Sequence, residues 1–113
     1  TILGHPTGRL LLRREGYAID LNEVIECAAR RGVAIEINAN PHRLDLDWRW
    51  ARVAIEKGAL LCIGPDAHDL DGLDDTRFGL GAARKAWAEP RHILNAWPPE
   101  KILAWLSARR AAA

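Results

Sequence analysis

No apolar run in this sequence approaches the ~20 residues a membrane-spanning helix requires, so no helical span is expected. Cysteine is scarce. Cys27 and Cys62 are too few and too scattered for a disulfide framework, which points to a reduced, cytoplasmic setting. An excess of one charge is lacking too: 16 basic and 15 acidic residues leave +1, so the bulk balance demands neither nucleic acid nor an anionic membrane. Basic residues nonetheless cluster, at Arg9, Arg13 and Arg14 and again at Arg30 and Arg31. Four histidines occur without a single His-x-His pair, so a metal site built from this chain would be half present.

The remaining composition, 49% hydrophobic and 27% charged over 113 residues, suits one globular domain with a modest core and excludes a disordered chain. Ile2-Leu3 reads as strand directly after Thr1, so the chain is expected to be a piece of something longer.

Strand and helix patterns alternate. Asp20 is a plausible N-cap with Glu23 three residues later, Leu21, Val24, Ile25, Ala28 and Ala29 share a helical face, and Gly32 ends that helix. Val33 to Ile37 reads as a strand running into the loop signal Asn38-Ala39-Asn40-Pro41. Asp45 or Asp47 caps a second helix that runs to Lys57 and closes at Gly58. Leu60 to Ile63 is a short continuous apolar strand, with Cys62 as a small core residue, followed by the turn Gly64-Pro65. Asp69 to Asp75 reads as loop, Thr76 to Trp87 as loop and helix, and a last helix follows Pro98-Pro99 with Ile102, Leu103 and Leu106 on one face. An alanine tail, Ala111 to Ala113, ends the chain. The order implies an α/β fold of parallel strands joined by right-handed crossovers.

In such folds chemistry collects where strands end. Three strand ends here carry polar residues: His5 in Gly4-His5-Pro6-Thr7-Gly8-Arg9, then Glu36 with Asn38 and Asn40, then Asp66 and His68. Two imidazoles and a carboxylate are metal-ligand material. Each also has a bland reading. His5 can hydrogen-bond a turn, Asp66 can cap one, His68 can lie on the surface, and Glu36 is either an inward-facing or a solvated residue. His42 and His92 read as surface residues, and packing is the expected role of Trp48, Trp50, Trp87, Trp97 and Trp105.

Gly-His-Pro-Thr-Gly-Arg, Glu-Ile-Asn-Ala-Asn-Pro-x-Arg-Leu-Asp-Leu and Asp-Ala-His, in that order, resemble the PHP (polymerase and histidinol phosphatase) domain, in the form that ends bacterial family X DNA polymerases. The resemblance covers nearly the whole chain and extends through Arg77-Phe78-Gly79, Ala83-Arg84, Trp87 and Ile93-Leu94-Asn95. It implies that residues 1–113 are the C-terminal portion of a distorted seven-stranded, TIM-like βα barrel, without the N-terminal half that carries His-x-His. It implies phosphoester hydrolysis with divalent metals at the strand ends, manganese or zinc with iron as an alternative, and a 3′–5′ exonuclease acting on DNA. His5, Asp66 and His68 match metal ligands, with Asp66 and His68 as the catalytic pair. Arg9, Arg43, Asn38 and Asn40 are phosphate-contact candidates, and Glu36 is a rim residue. The isolated chain is expected to be inactive and to need its missing half, a partner chain or self-association to bury exposed edges. Two further readings are a non-catalytic module that stabilises a polymerase and a histidinol-phosphate-type phosphatase acting on small molecules.

Overall fold

The computed structural model describes residues 1–112, so Ala113 of the alanine tail lies outside the described residues. Its first helix shows how local signals become structure. The Asp20 carboxylate accepts the Glu23 N–H at 3.0 Å and starts α1 (Leu21–Arg31). Gly32 stops it, because its left-handed φ of 61° turns the chain and lets the Val33 N–H reach the Ala28 carbonyl at 2.9 Å. Leu21, Ile25 and Ala28 form the buried stripe of this helix.

The chain then enters β2 (Ala34–Asn38), the middle strand of a parallel sheet ordered β1 (Ile2–Leu3), β2, β3 (Leu61–Gly64). Both longer strands begin one residue later than their apolar patterns suggest. Ile2 pairs with Ala34, Ile35 with Leu61 and Glu36 with Cys62. Because side chains alternate across a strand, this register sends Ile35, Ile37 and Leu61 to one face and Ala34, Glu36 and Cys62 to the other. The first face meets α1, α2 (Trp48–Glu56) and α3 (Thr76–Lys85) in the main core, where Ile25, Ile35, Ile37, Leu46 and Leu61 are fully buried. Burying each such side chain contributes roughly 1.5–3 kcal/mol.

The second face is covered in part. Ala34, Cys62 and Leu94 form a smaller cluster against which Trp97 and, from α4 (Pro99–Ala111), Ile102 and Trp105 pack. Leu103, placed by its spacing on the packing face of this helix, is instead 63% exposed, and Ile102 and Trp105 make the contact with the smaller cluster. Trp87 likewise stands out at 75% exposure, beneath the Arg52 guanidinium, while the other four tryptophans pack against the two cores. Asp69 to Asp75 is not all loop: Asp71–Asp75 forms a 3-10 turn leading into α3.

The sheet is open. The free side of β3 is closed off by the segment that follows α3, where the Asn95 carboxamide accepts the Ile63 N–H (2.7 Å) and donates to the Ile63 carbonyl (3.0 Å). Ile93 bridges to Leu61 on the same side. Among the described residues β1 has no strand on its outer side, and its Ile2 is half exposed.

Candidate active-site rim

All three parallel strands deliver their following loops to the same end of the sheet, and these loops are stitched into one unit. The stitching starts at Asp45, fully buried between Leu44 and Leu46. Its carboxylate accepts the Thr7 N–H (3.0 and 3.3 Å to the two oxygens) and the Gly8 N–H (3.0 Å), so the loop after β1 closes over an acid from the loop after β2. Gly8 adopts a φ of 65°, and a Cβ there would lie 2.8 Å from the Tyr17 ring, whose hydroxyl donates to the Pro6 carbonyl. The backbone of Asp45 exchanges hydrogen bonds with Asn38 in both directions, anchoring the acid to the end of β2. Asp47, not Asp45, caps α2, accepting the Arg49 N–H at 2.9 Å.

Arg9 ties the same two loops from the other side. Its Nε donates to the Arg43 carbonyl (2.9 Å), one Nη donates to the Leu44 carbonyl, and the guanidinium pairs with Asp47 at 3.6 Å. Arg43 in turn reaches the third loop, its Nε 3.2 Å from the Asp66 carboxylate. Arg9 therefore holds the rim together, whereas Arg43 stands directly against a candidate ligand. Asn38 and Asn40 shape the intervening turn: Asn38 Oδ1 accepts the Asn40 N–H and Asn40 Oδ1 accepts the His42 N–H.

His68 folds back so that Nδ1 lies 2.7 Å from the Asp66 carbonyl. A carbonyl only accepts, so Nδ1 carries the proton, and in the neutral ring the lone pair then sits on Nε2, the tautomer in which Nε2 can take a metal or a proton. Asp66 and His68 share with Asn40 and His42 the floor of two adjoining cavities of about 240 and 340 Å³. Glu36 lies elsewhere, on the second sheet face. One of its oxygens accepts the His5 N–H at 2.6 Å, and its carboxylate fills the space a Cβ at Gly64 would occupy. It also raises the pKa of Cys62, which burial chiefly pushes up to about 11. The His5 side chain is outside both cavities. Among the described residues no three His, Cys, Asp or Glu side chains come together closely enough to hold a metal ion.

Backbone strain collects here. His5 (φ 27°) and Leu12 (φ 61°) in the first rim loop, Leu44 (φ 44°) in the second and Asp66 (φ 55°) in the third all take the left-handed conformation that non-glycine residues avoid. Strain of this kind, of order 1–3 kcal/mol each, persists where surrounding structure imposes it, and functional sites are its commonest home. Sequence reasoning missed the role of Asp45, whose setting between two leucines was a signal for a buried acid; His42, read as a surface residue, is exposed and lines both cavities.

No family model matches the chain. It is 47% identical over 105 residues to the DNA polymerase/3′-5′ exonuclease PolX of Bacillus subtilis, which covers 93% of this chain and 18% of that protein. It is 38% identical over 89 residues to a probable phosphatase of Vibrio atlanticus, 70% of this chain and 34% of the relative. A probable phosphatase of Shewanella halifaxensis is 32% identical over 99 residues, 82% of this chain and 39% of that protein. The chain thus spans about a fifth to two fifths of the curated relatives it matches.

Proposed function

We propose that this chain is the C-terminal portion of a PHP domain, a TIM-like βα barrel, in a metal-dependent phosphoesterase that trims DNA 3′ ends as the 3′–5′ exonuclease of a family X DNA polymerase. The observation that carries the reading is the 47% identity, spread over 93% of the chain, to a protein named for both activities. Exonuclease and phosphatase share one chemistry, attack on a phosphoester, and that shared step unites all three relatives.

The donor types suit the manganese or zinc, or else iron, that the reading requires, since His5, Asp66 and His68 offer imidazole and carboxylate. Their number does not complete a site, because no trio of such side chains assembles among the described residues. In this reading the chain contributes a share of the ligands, and donors beyond it, His-x-His among them, contribute the rest. Bound divalent metal supplies a nucleophile at neutral pH and neutralises phosphoryl charge. The chain's own residues do the positioning. Arg43 holds the Asp66 carboxylate in place, the Asp66 carbonyl fixes the His68 tautomer, and Arg9 with Asp45 keeps the first two loops in register. The open side of β1 is where a missing half of the barrel or a second copy docks, and the isolated chain is inactive. No helix is long and apolar enough to cross a membrane, and the reading sets the protein in the cytoplasm with DNA as its partner.

The two phosphatase relatives favour a second reading, a small-molecule phosphatase. The full gene product that carries this chain separates them: with manganese, the first reading expects release of nucleotides from a 3′-labelled oligonucleotide and the second turnover of a small phosphomonoester. His68→Ala abolishes whichever activity is present, with bound metal counted by plasma mass spectrometry. Turnover of neither substrate by the wild type leaves a non-catalytic module and refutes both.

A further inference from the structure

Beside the Asp66–His68 pair lies a groove of about 240 Å³ whose walls include Arg13, Asn40, His42 and Arg43. Small-molecule pockets start at about 300 Å³, so this one is sized for a phosphate and its immediate surroundings. Its charges are unequal. Arg43 is offset by Asp66, whereas Arg13 makes no ion pair or side-chain hydrogen bond among the described residues. The His42 side chain is equally unspent, and Asn40 has used only its carboxamide oxygen, on the His42 N–H. The two loops that present Arg13 and His42 are joined, because the Leu11 N–H donates to the His42 carbonyl at 2.7 Å. On the other side of the same floor the cavity wall turns acidic, with Asp69, Asp71 and Asp75.

We propose that Arg13 and His42, with Arg43 behind them, form a subsite for a backbone phosphate of a single DNA strand, next to the reacting end. A guanidinium with all its donors free grips a phosphate in two places, and the imidazole N–H adds a third contact. The acidic wall repels a polyanion, so the strand runs from Asp66 and His68 out along the Arg13 side. This subsite gives a polynucleotide an advantage over a phosphomonoester that fills only the reacting position. The substrate class rests on the reading above, but the contacts are tested without catalysis.

The test is binding of a short fluorescent single-stranded oligonucleotide to the full gene product in chelator, by anisotropy, between about 50 and 200 mM salt. Each phosphate neutralised on a single strand contributes about 0.7 to the slope of log affinity against log salt. Arg13→Ala is expected to raise Kd by roughly 3–10-fold and flatten the slope by about that 0.7. Arg13→Lys is expected to restore the slope, because it keeps the charge. His42→Ala weakens binding with the slope kept at pH 8. Both side chains are free of internal bonds, so the variants fold. Wild-type Kd and slope in both alanine variants, or no binding by the wild type, overturns the subsite. Digestion with manganese separates the two ideas: a wild type that binds as expected yet digests nothing sinks the exonuclease reading alone, and one that digests while the variants bind normally sinks the subsite alone.

Discussion

Asp45 offers the sharpest test of how the rim is built. Replacing it by alanine removes the acceptor of two backbone donors, Thr7 N–H and Gly8 N–H, from a position with no solvent exposure. A hydrogen bond to a charged group contributes about 1.5–3 kcal/mol, so the pair is worth about 3–6 kcal/mol; Thr7 N–H is left stranded, whereas Gly8 N–H keeps the His5 carbonyl at 3.1 Å. Thr7 and Gly8 are only partly buried and water reaches them once the loop loosens, which lowers the figure to about 2–4 kcal/mol. The loss falls on one loop, so the fitting assay is local: amide hydrogen exchange at Thr7 and Gly8. With tenfold per 1.4 kcal/mol, exchange there is expected to speed up by about 30- to 1,000-fold in Asp45→Ala, with Ile35 and Ile37 in β2 unchanged. Asp45→Asn keeps one neutral acceptor and falls between. Exchange at Thr7 and Gly8 within about threefold of wild type would refute the argument that a buried carboxylate holds the first loop closed.

Other side chains give equally direct expectations. Gly79→Ala costs about 1–3 kcal/mol, because the new Cβ would sit 2.7 Å from both Ala39 Cβ and Ile63 Cγ2, whereas Gly81→Ala in the same helix meets nothing within 4 Å and gains about 0.5–1 kcal/mol; denaturant midpoints in which both changes have one sign would contradict the packing. With its thiol pushed up to about 11, Cys62 is thiolate in about one molecule in a thousand at pH 8, so iodoacetamide is expected to label exposed Cys27 and spare Cys62, which mass spectrometry of the digested protein reads directly. Asp47→Ala removes the α2 cap at about 1 kcal/mol. The Arg49 side chain, through its hydrogen bond, holds the Asp47 carboxyl below its ordinary value. That contribution is complete above the unfolded pKa of about 4 and fades as pH falls through the lower folded value, so the gap between wild type and variant is constant near neutrality and shrinks in acid; a gap that widens in acid would reject it.

Much of the architecture was legible in the residues because its causes are local. Asp20, Glu23 and Gly32 delimit α1 through bonds within a few residues, and the apolar runs at Val33 and Leu60 locate β2 and β3 to within one position. The same locality marked Asp66 and His68, since a carboxylate and an imidazole at the end of an apolar strand have no packing reason to be there. It could not choose between Asp45 and Asp47 as the α2 cap, two residues with the same side-chain chemistry, two positions apart.

What the sequence determined by itself was the inventory: strand, helix and turn in order, and the polar residues at each strand end. Tertiary structure alone decided their partners. That Asp45 serves a loop 37 and 38 residues away, that Arg9 is spent on Arg43, Leu44 and Asp47, that Arg43 meets Asp66, and that Trp87 is left outside are outcomes of how two crossovers bring distant loops to one rim. Charges and backbone donors select partners by distance and direction in space, and those are set only when the sheet and its helices have packed.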